Sequence, residues 1–574
     1  MSKTKQTILT LVSITFALAQ STVGQGQRSS PATPLRAPQQ QTTQARSAAV
    51  AAPSADIPGH PSQLKFQTLD YTPPKRDKYR HVLSNGAVAY LVEDHDLPLV
   101  NVSVMVRTGS YLEPVGKEGL AALTGGQMRS GGTLGKTAEQ FDEAADFLAA
   151  FISSGIGGTQ GSAGLNCLAK DVDQGLGLLF EMLKSPGFQA DRLTLAKSQI
   201  LQGMERRNDS TDAIEDREWD RLMRGSSHFS TRPSTKASIE SISRDDMIGF
   251  HKKYYHPGAL IFAISGDFKT DEMLAKLESS LRGWPVSKEA VPEVPKPDFA
   301  PVAGVYVVNK SDVNQGRVTI GHAGTTRDNP DFHALSIMND ILGGGGFSSR
   351  ILSRVRSDEG LAYSADSSFS FGVYYPGDFR ATFQSKSSTT AQAADLVLEE
   401  INRIRTAQVS VEELQRAQNY ATEIFPRFFA TPAQIAGTFA QDEYTRRPAD
   451  FWDKYRERVR AVTAADILRV AQKYLQPEQL MVLVVGNIDD ITKGNPDRPQ
   501  HLARQDREDR HDSPHSASGS IDDGISRRRS SIKEENECRQ LRCPNRRTPR
   551  FKQCTCSSNA CARCTTNTQT SSTS

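Results

Sequence analysis

The chain has 574 residues, 37% of them apolar and 24% charged, with a formal net charge of +3. From Ile491 onward there are 16 Lys and Arg against 10 Asp and Glu, a net of +6, which leaves about −3 for everything before it and argues against a nucleic-acid-binding body. Six of the seven cysteines also lie in this tail; the body has only Cys167, so no disulfide can form within it and its stability must come from burial.

Met1 to Ala19 has the pattern of a secretory signal. Lys3 and Lys5 precede an apolar run from Ile8 to Leu18, and Ala17-Leu18-Ala19 is an A-x-A cleavage site. The run is too short to span a bilayer, and no lipobox cysteine follows, so we expect an exported chain with no transmembrane anchor. Residues 20–75 are rich in Pro, Gln, Ala and Ser, cannot build a core, and are predicted to be a disordered linker.

Asn85-Gly86 between two apolar stretches signals a tight hairpin, and Val100 to Val106 a strand. Val172, Leu176, Leu179 and Leu183 share one helical face. Ser243, Asp246, Lys253, Tyr254, Pro257, Leu260 and Gly266 then recur as Thr463, Asp466, Lys473, Tyr474, Pro477, Leu480 and Gly486, a constant offset of 220 residues. Each block predicts a capped helix stopped by proline, followed by a buried strand that ends at glycine. Arg317 to Ala323 looks like the counterpart of the Val100 strand, and Ser410 with Glu413 caps another helix.

The chain is therefore expected to be α+β, with two homologous domains, 76–290 and 291–490, each a mostly antiparallel sheet covered by helices. Residues 491–574 form a low-complexity basic tail. Its Cys554-x-Cys556 and Cys561-x-x-Cys564 lack an apolar framework and fit no common zinc-finger spacing, so no metal is expected there. A shifted reading frame is one hypothesis for the tail; a nucleotide sequence with no alternative frame continuing the repeat would exclude it.

Asn85-Gly86, Gly119-Leu120-Ala121, the Phe250 to Pro257 segment with Gly266-Asp267, and Gly360-Leu361-Ala362-Tyr363-Ser364 together resemble the pitrilysin/insulinase family of zinc peptidases. The resemblance spans about Tyr79 to Ile488 and includes mitochondrial processing peptidase and two-subunit bacterial members. It implies that this chain is one half of a clamshell that closes around an unfolded peptide.

Active halves of the family carry His-x-x-Glu-His after a Gly-x-Ala stretch, with a further Glu about 75 to 80 residues on as third ligand. Here the two His positions match Ala122 and Gly126, the base matches Gly125, and the third ligand falls near Gly203. None of these can bind a metal or take a proton from water, so the resemblance implies no metal in this chain and a zinc-binding partner that carries His-x-x-Glu-His. Glu205 nearby is expected to be a solvated helix charge. His251 and His256 are expected to play surface or helix-dipole roles.

The second copy keeps a different part of the apparatus. Ile351, Leu352 and Val355 form a helical stripe, Gly360 suits a left-handed stop, and a strand follows from Leu361, so Arg356 and Tyr363 can meet across the reversal. Taken alone they read more readily as a dipole-complementing Arg and a core Tyr. By the family resemblance they are the Arg and Tyr that donate hydrogen bonds to a peptide carbonyl at a zinc site on the opposite half. Gly343, Gly344, Gly345 and Gly346 form either a loop that lets substrate backbone approach or a turn.

The resemblance thus implies the zinc-free, substrate-binding subunit of a periplasmic heterodimeric metallopeptidase acting on short or unfolded peptides. Two alternatives are a non-enzymatic scaffold of the same fold, as in a respiratory complex, and a peptide-binding or chaperone module acting alone.

Overall fold

The computed structural model describes residues 70–287, 289–496 and 526–528. The signal segment, nearly all of the 20–75 linker and the tail cysteines lie outside the described residues.

Fourteen strands are described. β1 (Arg80–Val82), β2 (Val88–Glu93), β3 (Leu99–Val106), β4 (Phe151–Ile156), β5 (Gly161–Leu168) and β6 (Leu260–Gly266) form one sheet in the order β1-β2-β6-β3-β5-β4. β7 (Gly304–Asn309), β8 (Gln315–Ala323), β9 (Thr325–Thr326), β10 (Ala362–Phe369), β11 (Phe371–Gly372), β12 (Asp378–Lys386), β13 (Met481–Gly486) and β14 (Ser526–Arg528) follow. The second sheet has the order β10-β12-β8-β13-β7-β14, while β9 and β11 pair with each other.

Apart from β1 and β14, the two sheets share one topology: β2-β6-β3-β5-β4 matches β7-β13-β8-β12-β10. The late strand of each repeat, β6 or β13, inserts beside the first and runs parallel to it; every other pairing in the two sheets is antiparallel. β6 is buried along its whole length, as its unbroken apolar run requires of a central strand. The helices that lead into β6 and β13, Arg244–Tyr254 and Ala464–Tyr474, both start at the predicted capping boxes on Ser243 and Thr463. The fold is α+β with mostly antiparallel sheets, as expected.

Period-two alternation makes each sheet apolar on both faces, and the two faces find different partners. Val100, Val102, Val104, Phe262 and Ile264 pack under helices of their own repeat, including Leu120–Ser130 and Val172–Lys184. On the opposite face Tyr90, Met105, Ile261 and Ala263 are covered by Phe439, Ala440 and Tyr444 of the helix Pro432–Thr445, which belongs to the other repeat. The equivalent helix of the first repeat, Thr211–Arg224, reaches the other way: Ile214, Trp219, Leu222 and Met223 cover Tyr306, Met481, Leu483 and Val485.

The exchange is reciprocal and is fixed by polar anchors. Trp219 Nε1 donates to Asp378 Oδ2 at 2.7 Å, and buried Glu215 accepts from Arg317 and Thr319. On the other side Glu443 takes both Arg80 Nε and Nη2 at 3.0 Å and Tyr90 Oη at 2.8 Å. Both sheets accordingly lie in one compact unit.

Candidate functional site

Two corners of the fold are equivalent: in each, a helix abuts an edge strand. In the first repeat the helix Leu120–Ser130 packs on β4 and against the helix Ala190–Glu205. Gly125 is buried there, and a Cβ on it would lie 2.4 Å from the Ile156 nitrogen and 2.6 Å from the Gly155 carbonyl carbon. Both are backbone atoms that cannot give way, so no side chain fits.

Ala122 and Gly126, one turn apart on the same helix, face solvent, and a Cβ on Gly126 would meet nothing within 4 Å. Gly203 is exposed with equally open space, and Glu205 beside it is exposed as expected. The family's metal ligands and base therefore have no counterpart at these positions, and the base position is closed by the backbone itself. Zinc does not fit this corner. Among the described residues no cluster of three or more His, Cys, Asp or Glu is placed to hold a metal ion.

The two histidines near Pro257 are not at the surface, which corrects the expectation for them. His251 is buried, its Nε2 donates to the Leu183 carbonyl at 2.9 Å, and desolvation holds its pKa below the usual imidazole value. His256 is buried as well, just past the helix end. His251 lies on the one buried face of its helix, in the i, i+3, i+4, i+7 stripe with Met247, Phe250 and Tyr254.

In the second repeat the helix Phe332–Asn339 runs into a π-turn, Asp340–Gly344, that packs on β10. Gly343 repeats the role of Gly125: a Cβ there would lie 2.4 Å from the Ser367 nitrogen. Gly344 and Gly345 are crowded by Asn339 and Asp340 in the same way, and Gly346 alone takes a left-handed φ of +63°. The four glycines thus split into a tight helix end and a turn. They do not form one open loop.

From Gly346 the chain makes a short turn carrying Phe347, then a helical segment that widens into a second π-turn, Ser353–Asp358. Gly360 stops it at φ +65°, as predicted, and the Gly360 and Leu361 amides donate to the Arg356 and Val355 carbonyls at 3.1 and 2.9 Å. That reversal brings Arg356 and Tyr363 together. The Arg356 guanidinium carbon lies 4.8 Å from the Tyr363 ring centroid and 4.7 Å from that of Phe347. Tyr363 is 84% exposed and Phe347 74%.

The arginines of this segment differ in partner. Arg350 is clasped by both oxygens of Glu413 at 2.6 and 2.8 Å, which holds the Glu413 carboxyl below its usual range. Arg354 faces Glu359 and Glu399. Among the described residues no carboxylate or carbonyl engages Arg356; only the two rings do. A guanidinium has five N–H donors in its plane, so ring contact leaves its hydrogen-bonding edge open. Next to the phenol of Tyr363, this arrangement can donate several hydrogen bonds to one oxygen at the sheet edge.

Behind the turn a small cavity of about 90 Å³ is lined by Asp340, Gly345, Ser348, Glu413, Arg416 and Tyr420. Burial alone pushes the Asp340 carboxyl up to about 6. Phe347 was not among the predicted site residues, because an aromatic in a glycine-serine stretch has no periodicity to mark it.

Residues 241–420, which include the glycine run, Arg356 and Tyr363, match the family model described as the peptidase M16 inactive domain. Over that stretch the chain is similar to the M16 peptidase family. It is 25% identical over 404 residues to a Helicobacter pylori protein named non-peptidase homolog YmxG, covering 69% of this chain and 90% of that one. Its fold is similar to that of an M16 inactive-domain protein from Pseudomonas fluorescens, with a TM-score of 0.64 at 23% identity, covering 71% of this chain and 97% of the other. It is also similar to the periplasmic protease PqqL of Escherichia coli, with a TM-score of 0.60 at 15% identity over 71% of this chain and 45% of that one. Among the described residues, no helix is long and apolar enough to cross a membrane.

Proposed function

We propose that this chain is the zinc-free, substrate-binding subunit of an exported, periplasmic two-subunit peptidase. Its partner is a homologous chain that carries His-x-x-Glu-His and holds the zinc and the general base. The observation that carries this reading is Arg356: a guanidinium with no carboxylate or carbonyl partner among the described residues, held beside an exposed tyrosine on an edge strand. A structural arginine would be expected to pair as Arg350 does.

In this reading an unfolded peptide adds as an extra strand at a sheet edge, since among the described residues β4 and β10 are both end strands with an unpaired edge. The edges of Arg356 and Tyr363 donate to the scissile carbonyl, and the hydrogen bonds strengthen as charge collects on its oxygen. The domain split at 290/291 and the shell-like closure around substrate belong to the same proposal. So does export, which rests on the N-terminal sequence and is consistent with the periplasmic location in the name of PqqL.

The test is to purify this chain together with a His-x-x-Glu-His partner and to assay unfolded peptides with Arg356→Ala and Tyr363→Phe. Each should lower kcat by roughly 100-fold or more. Unchanged turnover in both variants would remove the assigned role.

The name of the Helicobacter pylori relative favours a second reading, a scaffold or peptide-binding protein without turnover. That reading expects peptide affinity or complex assembly that is indifferent to Arg356→Ala.

A further inference from the structure

We infer that Phe347 is a third member of the Arg356–Tyr363 site, a positioning residue that holds the plane of the Arg356 guanidinium and so aims its donor edge. The inference rests on the reading of Arg356 given above and adds a residue to it. Three observations lead to it.

The first is the contact itself. The Phe347 ring is as close to the guanidinium as the Tyr363 ring, 4.7 against 4.8 Å, although it comes from the far side of the helical segment in sequence. The second is exposure: the Phe347 side chain is 74% exposed, and among the described residues its one aromatic or cation–π contact is with Arg356.

The third is how firmly its backbone is fixed. Gly346 takes φ +63°, the Ser349 amide and Oγ donate to the Gly346 carbonyl at 2.9 and 2.7 Å, and Ser353 Oγ donates to the Phe347 carbonyl at 3.2 Å. Arg416 Nη1 donates to the Ser348 carbonyl at 3.4 Å, which ties the turn to the helix Val411–Glu423. A fixed turn that ends in an open ring is a support for something placed on that ring.

The physical case follows from the shape of the cation. A guanidinium attracts aromatic faces through its positive charge and stacks on them through its flat, weakly hydrated surface, while all its N–H groups point along the plane. A carboxylate partner would occupy those donors. Aromatic rings restrain the group and leave them free, which is what a hydrogen-bond donor awaiting substrate needs. Phe347 itself has no donor, so its action is through Arg356.

Labelling of the arginines with an arginine-selective dicarbonyl, mapped by peptide mass spectrometry on the full chain alone, gives a readout that needs no partner. We expect Arg356 to react roughly three to five times faster in Phe347→Ala and in Phe347→Leu than in the wild type, and at the wild-type rate in Phe347→Trp. Arg350, clasped by Glu413, is the internal reference and should not change, which shows that the fold is intact. An Arg356 rate unaffected by Phe347→Ala, or restored by Phe347→Leu as well as by Phe347→Trp, would overturn the inference.

In the two-chain peptidase, Phe347→Ala should lower kcat by a similar factor with KM unchanged, and Phe347→Trp should restore it. A KM increase at constant kcat would overturn the positioning role. If Arg356→Ala has no effect on turnover, the peptidase reading fails, and the labelling still decides whether Phe347 positions the arginine.

Discussion

The corner at β4 and the corner at β10 have one backbone plan and opposite chemical content. In both, a glycine with no space for a side chain, Gly125 or Gly343, sets a helix directly against an edge strand. At the first corner, the positions matched to the family's metal ligands, Ala122, Gly126 and Gly203, show solvent no metal-binding side chain. The second continues into the turn and reversal that assemble Phe347, Arg356 and Tyr363. Close helix–strand packing is therefore independent of the chemistry that a corner carries, and the fold survives where the metal ligands are absent.

If the repeats are equivalent in packing, equivalent lesions should have equal effects. Trp219 and Phe439 sit on the exchanged helices, each buried against the sheet of the other repeat. Trp219→Ala and Phe439→Ala should each lower unfolding free energy by about 3–5 kcal/mol in denaturant titration. A loss below about 1 kcal/mol from one of them alone would show that only one helix holds the repeats together.

Gly125→Ala and Gly343→Ala should each cost about 1–3 kcal/mol, because the new methyl meets backbone. Gly126→Ala, one residue on and open to solvent, should instead stabilise by about 0.5–1 kcal/mol. Equal effects at 125 and 126 would contradict the closed base position.

The β10 corner also carries a buried carboxyl that titrates. The Asp340 carboxyl is raised from 3.8 to about 6 by burial, so between these values the unfolded chain is ionised while the folded one keeps its proton. Stability then falls as pH rises from about 4 to about 6, and the penalty stays in place above that. Asp340→Asn should therefore gain about 1–2 kcal/mol at neutral pH, allowing for partial exposure, and nothing below about pH 4. A gain that is flat with pH would remove Asp340 as its source.

Local signals carried most of the fold. The capping boxes at Ser243, Ser410 and Thr463 all form, Gly86 takes the left-handed φ of +87° that its Asn-Gly turn requires, and Gly360 ends its helix as predicted. That Arg356 and Tyr363 can meet was legible because a helix stop and a strand start have short-range signatures; their role came only from the family resemblance.

The helix exchange was not legible. The apolar stripe of Ile214, Trp219 and Leu222 says that the helix covers something, and nothing local says which sheet. The contact of Phe347 with Arg356 was hidden for the same reason, whereas the burial of His251 was marked by the stripe it shares with Met247, Phe250 and Tyr254.

The decisive measurement is turnover of an unfolded peptide by this chain purified with a zinc-binding partner, compared between wild type and Arg356→Ala, with metal content measured on this chain alone. We expect a loss of roughly 100-fold or more in kcat and no stoichiometric zinc on this chain. Undiminished turnover in the variant, or a zinc ion held within the first repeat, would contradict the role proposed for it.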